Sequence, residues 1–197
     1  MVAKLDVSVS DHPDLFAGVP GAPLSAPVAG LLRLYLPLAI ANGTEKARSE
    51  WLIAPVLADA REQLARRVSL FSGWDFVVDR AKGLNGVCDY LLCRSPQQEF
   101  ITTPVAAVVE AKNENIKVGL GQCAAEMVAA RLFNERAGRT ALTVTGCVTT
   151  GTAWRFLKLD GSNLLIDQKE YYLATQADQI LGILLASLRD PAPEQPA

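Results

Sequence analysis

Histidine occurs once in this chain, at His12, and the four cysteines (Cys88, Cys93, Cys123 and Cys147) form no Cys-x-x-Cys pair. A structural zinc site needs several closely spaced thiolate or imidazole ligands, so none is expected. Cysteines set in apolar runs such as VTGCVTT read as small buried hydrophobes, and free thiols of this kind suit a reducing cytoplasm. Charge of one sign is also missing. Nineteen Lys and Arg face 21 Asp and Glu, a formal net charge of -2. Binding to a polyanion would therefore have to rest on local basic clusters and bound cations. The most apolar N-terminal stretch, residues 23–41, is interrupted by Arg33 and three prolines, which makes it a poor membrane span. Asp6, Asp11 and Asp14 interrupt the first twenty residues, so a signal peptide is not expected there. Walker-type, dinucleotide and nucleophile-elbow motifs are absent.

What is present reads as one globular domain. Half of the 197 residues are hydrophobic and 20% are charged, enough to bury a sizeable core. Residues 1–43 lack clear periodicity and are expected to form an irregular arm packing on a domain at 44–190, with a disordered tail at 191–197. Thr44 suits an N-cap for a helical stretch over 44–68, which Pro55 should kink or divide. A β-meander follows: VSLFSGWDFVVD, with Trp74, Phe76 and Val78 alternating onto one face; a turn in RAKGLNG, whose Asn-Gly pair is typical of hairpins; then VCDYLLC and PVAAVVEAK. The last of these is almost wholly apolar, as expected of a central strand covered on both faces. A helix over about 117–135 carries Leu120, Cys123, Ala124, Met127 and Val128 as its core stripe. Strands at ALTVTGCVTT, AWRFLKL and NLLID and a helix from about Thr175 to Leu188 complete an α/β sandwich with a mixed sheet.

The chemistry-bearing residues lie in the meander. Glu110 and Lys112 are two apart on the apolar strand and so project to one face. Charges at that place are costly unless they are paired or bound to metal. Asp89, on the preceding strand, is again a lone acid among apolar residues. If the strands are neighbours, Asp89 and Glu110 converge on one hard cation with Lys112 beside them.

Asp89 followed by Glu110-Ala111-Lys112 resembles the PD-(D/E)XK nuclease superfamily, the restriction-endonuclease-like fold, over residues 45–159. The expected element order α-β-β-β-α-β is similar to that family's core. Cys88 stands where the proline of the family's name would be. The resemblance implies a cytoplasmic nuclease hydrolysing phosphodiesters, those of DNA first, with Mg²⁺ or Mn²⁺ as cofactor and no membrane. A homodimer is an open alternative, since enzymes that cut both strands often pair two sites. It implies Asp89 and Glu110 as metal ligands, joined by the carbonyl of Ala111, and Lys112 acting on the attacking water or the developing charge. Glu50 in the first helix would be an additional metal-binding acid. Gln122 matches a glutamine of the recombination-exonuclease branch, although that branch's tyrosine four residues on is Glu126 here. Arg80, Lys82, Lys117 and Arg131 are candidates for phosphate contacts. The rival readings are a structural Glu110–Lys112 ion pair, an ordinary solvated Glu50, a surface Gln122, and a non-catalytic domain of this fold that binds nucleic acid or a protein partner. Trp154 and Phe156 are expected in the core, and residues 149–152 in a hairpin turn.

Overall fold

The computed structural model describes residues 5–140 and 142–189. Along the chain run β1 (Ser8–His12), α1 (Ala26–Asn42), α2 (Glu45–Arg48), a π-helical turn (Ser49–Ile53), α3 (Ala54–Gln63), β2 (Ser69–Asp79), β3 (Leu84–Cys93), β4 (Val105–Ala111), α4 (Ile116–Arg136), β5 (Val144–Thr149), β6 (Ala153–Asp160), β7 (Asn163–Asp167), β8 (Tyr171–Tyr172) and α5 (Leu173–Leu188). Seven strands follow the order β1-β7-β6-β5-β4-β3-β2, and β8 adds to β6 to make eight. The pairs β4–β5 and β1–β7 are parallel and the remaining pairs antiparallel. The result is an α/β fold with a mixed sheet flanked by helices, as the alternation of elements predicted. No helix among the described residues is long and apolar enough to cross a membrane.

Two cores sandwich the sheet. One packs Leu57 of α3 and Ile180 of α5 against Tyr90, Val109 and Phe156. The other packs Cys123 and Met127 of α4 against Leu91, Val108 and Val148. Strand β4 lies between them with every residue buried, which is why its sequence shows no polar alternation. Trp154 and Phe156 are wholly buried, and all four cysteines are free and buried, as expected. Helix and sheet approach closely at Gly146, where a Cβ would sit 2.3 Å from Met127 Sδ and 2.9 Å from Cys123 Sγ. Glycine there lets α4 settle onto β5.

Thr44 caps the second helical stretch as predicted, its hydroxyl accepting from Ala47 N–H at 3.1 Å. Pro55 divides that stretch. Its missing N–H and its ring are accommodated by a widened π turn just before it. Residues 1–43 differ from the irregular arm expected, because they carry β1 and the 17-residue α1. Every residue of β1 is exposed, so backbone pairing with β7 holds the strand without an apolar pattern. Helix α1 is apolar on several sides and so shows no clean helical period. The hairpin turn falls at residues 80–83, where Gly83 takes φ 71° and its N–H bonds to the Arg80 carbonyl, while Asn85 and Gly86 are already paired within β3. Helix α5 begins at Leu173, ahead of Thr175, with a break at Gln176. The tail expected at 191–197 lies outside the described residues.

Candidate active site

The site forms where strands β3 and β4 part. Strict alternation along β3 would put Cys88 and Tyr90 on the same face, yet Cys88 joins the α4-side core and Tyr90 the opposite one. The partner strand switches as well, around Gly73 with φ 62°. Ser72 still faces Tyr90 across the ladder, and Trp74 faces Cys88. Phe76 and Val78 then reach the core, but Trp74 stays 40% exposed, so the predicted three-residue face is incomplete. Asp89 occupies the point where the strand changes face. Pairing with β4 extends only to Tyr90, opposite Val109. One residue further, the Asp89 side chain takes over from the ladder, its Oδ2 accepting from Ala111 N–H at 2.8 Å. Such irregularities re-aim side chains next to functional sites.

At the end of β4, Glu110 is fully buried and accepts a charge-assisted hydrogen bond from Lys112 Nζ through Oε1. Lys112 Nζ also lies 3.4 Å from Gln122 Oε1, and Gln122 Nε2 donates to Glu126 Oε1 at 3.3 Å. The chain of contacts therefore runs Glu110–Lys112–Gln122–Glu126, from the end of β4 to the second and third turns of α4. Gly119 leaves room for the Lys112 stem, since a Cβ there would come 3.0 Å from Lys112 Cγ. The structure thus brings together Asp89, Glu110, Lys112 and Gln122. It adds Glu126, which pattern reading passed over as the residue replacing a tyrosine. A signal was present: Glu126 stands between Ala124 and Met127 on the apolar stripe of α4, where an acid is out of place.

Electrostatics follow from burial. Burial raises the Glu110 carboxyl to about 7; Lys112 pulls it down and the Asp89 charge pushes it up. Glu126 rises to about 8, first through burial and then through the Glu110 charge, with Gln122 opposing. Burial lowers Lys112, but the Glu110 hydrogen bond and charge outweigh it, so the net shift is upward. Each glutamate has one partnered oxygen. The other oxygen, Oε2 in both, is buried and accepts from no donor group among the described residues, and the two carboxyls lie near enough to share a hydrogen bond when one of them is protonated. Two orphaned carboxylate oxygens on adjacent acids are costly to bury and suit a shared proton or a cation.

The remaining predicted residues divide. Ala111 belongs to the site through its N–H to Asp89. Glu50 is not brought in: it lies on the π turn, half-exposed, and accepts from Lys46 Nζ at 2.7 Å. Glu45, at the start of α2, is the acid of that segment whose charge reaches Lys112. Lys117 lines a separate cleft of about 390 Å³ with Arg48, Asn115 and Thr150. Arg131 is taken up by the Gly161 carbonyl and Glu135. The 149–152 turn closes on itself, with Gly151 N–H donating to Thr149 Oγ1 and Thr150 N–H to the Ala153 carbonyl. It is a hairpin turn with those donors occupied.

Among the described residues, no group of three or more His, Cys, Asp or Glu stands ready to enclose a metal ion. The donor set that is present, carboxylate oxygens beside an ammonium, suits a hard cation that keeps most of its own waters. Comparison with protein-family profiles, with curated proteins and with solved structures gives no match.

Proposed function

We propose that this chain is a metal-dependent nuclease of the PD-(D/E)XK type, hydrolysing phosphodiester bonds, those of DNA first. The observation that carries the reading is the buried Glu110, paired to Lys112 through one oxygen and unpartnered at the other, with Asp89 anchored on the neighbouring Ala111 N–H. The element order α2/α3-β2-β3-β4-α4-β5, with β4 and β5 parallel, supports a restriction-endonuclease-like core.

Asp89 and Glu110 would hold Mg²⁺ or Mn²⁺, and the free oxygen of Glu110 is the fit such an ion requires. The bound ion would supply Lewis acidity toward the phosphate and lower the pKa of a coordinated water. Asp89 keeps its second carboxylate oxygen available because Oδ2 is held by the backbone. Lys112 carries the positive charge that would orient the attacking water or offset charge developing on the phosphate. Gln122 limits the swing of the ammonium through its 3.4 Å contact, and Gly119 leaves room for the stem.

The test is cleavage of plasmid and single-stranded DNA in Mg²⁺ or Mn²⁺, with melting curves for each variant. Lys112→Met keeps the stem and removes the ammonium. It is expected to stay folded and bind metal while cutting roughly 100-fold slower or worse. Glu110→Gln is expected to lose both metal affinity and cleavage. A structural ion pair predicts the opposite division: no cleavage by the unaltered chain, and early melting for both variants, since breaking a buried pair costs about 3–5 kcal/mol. A folded Lys112→Met protein cutting as fast as the unaltered chain would defeat the mechanism.

A further inference from the structure

Two adjoining clefts lie between α4 and the β2–β3 hairpin. The nearer, about 330 Å³, is lined by Gln122 and Glu126 on one wall and by Asn85 and Val87 on the other. The farther, about 650 Å³, is lined by Arg80 and Lys82 at the hairpin tip and by Arg131 across from them. Gly83 and Leu84 belong to both, so the two make one trough that starts at the site and ends in basic residues. Its α4 wall runs from Gln122 to Leu132. At 1.5 Å per residue that is about 15 Å, roughly four nucleotides of a stacked strand at ~3.4 Å each.

Three features of the trough bear on what fills it. The α4 residues nearest the site end include Ala125 and Ala129, whose small side chains leave room between Gln122 and Glu126 and the hairpin. The cations are not equivalent: Arg131 is held by Gly161 and Glu135, whereas the side chains of Arg80 and Lys82 are exposed, with no hydrogen bond or ion pair among the described residues. Asp6 is the acid lining the far end. Finally, the carboxylate lining the near end, Glu126, sits below the surface at 9% exposed, and Glu110, which is outside the lining, is fully buried. A stiff duplex holds its phosphates on a cylinder and cannot lower one between a hairpin and a helix. A flexible strand can.

Building on the nuclease reading, we propose that the trough takes a single polynucleotide strand, or the frayed end of a duplex, with Arg80 and Lys82 gripping phosphates a few nucleotides from the bond presented to Glu110 and Lys112. Phosphate contacts of this sort position the strand without reading its sequence. A basic groove following the backbone is the usual way of holding unpaired nucleic acid.

The experiment measures binding of the full chain, in chelator and without divalent cation, to a short single-stranded oligonucleotide and to the blunt duplex of the same sequence, across a salt series. Arg80→Gln/Lys82→Gln is the variant, chosen at exposed turn positions. The single strand is expected to bind about 10-fold or more tighter than the duplex. The variant should flatten the log–log salt slope by about 1.4, for two lost contacts at ~0.7 each. An unchanged slope, or a duplex bound as tightly as the strand, overturns the proposal. The two readings fail separately. Cleavage with an unchanged slope removes the trough alone, whereas the expected slope change in a protein that hydrolyses nothing removes the nuclease reading and leaves a strand-binding groove.

Discussion

Glu126 and Glu110 each present one satisfied and one orphaned oxygen, and their protonation should govern how the metal-free protein responds to pH. Both carboxyls are raised in the folded state, to about 7 and about 8, above their ordinary value of 4.5. The folded chain therefore holds protons that the unfolded chain has released. Its stability from these groups is fully present below the unfolded value and is lost as pH rises through the folded ones. In chelator, the melting temperature is expected to fall between about pH 5 and pH 9. Glu126→Gln, neutral at every pH, should flatten that fall and leave the protein more stable at the alkaline end, and differential scanning across the pH series checks it. A steeper fall in the variant would mean that Glu126 is paired in a way these contacts do not include. Asp89, Glu110 and Lys112 were legible as chemistry because a charge in an apolar strand is anomalous in one dimension. Glu126 carried the same kind of signal, an acid on the apolar stripe of α4, but only the packing of α4 onto the sheet shows that it meets Glu110.

At the scale of elements, the site depends on how closely α4 approaches the sheet. Gly146 sets that distance beneath Met127, and Glu126 is Met127's chain neighbour. Gly146→Val would drive side-chain carbon into Met127 and Cys123, and overpacking of this kind costs roughly 1–3 kcal/mol. Urea denaturation should show that loss. Calorimetry should also show weakened Mg²⁺ binding, since the helix bearing Gln122 and Glu126 must lift. The same reasoning explains which elements pattern could find. β4 and α4 have strong signatures because each buries a continuous surface. The strand β1 has none, because its five exposed residues are held by hydrogen bonds to β7 and its flanking residues and bury no apolar face. The hairpin turn lies within the RAKGLNG run, at residues 80–83, while the Asn-Gly pair itself falls inside β3, because the ladder between β2 and β3 fixes how short the turn is.

For the whole molecule, a cation bound between β3 and β4 would link strands from successive segments of the chain and so stabilise the entire fold. Binding to the folded state alone adds about 2.7 kcal/mol at 100 times the dissociation constant. A rise in melting temperature with Mg²⁺ or Mn²⁺ is expected for the unaltered chain and should be absent in Asp89→Ala; an equal rise in both would remove Asp89 as a ligand. By itself the sequence determined the α/β class, the central buried strand, the main amphipathic helix and the three charged residues of the meander, because burial period and misplaced charge are written locally. Tertiary structure alone decided that Asp89 sits at a strand switch with its carboxylate on Ala111 and that Glu126 enters the site. It also decided that the hairpin tip and α4 enclose a trough. Those outcomes depend on distances between segments far apart in the chain, which are set by the packing of both faces of the sheet at once.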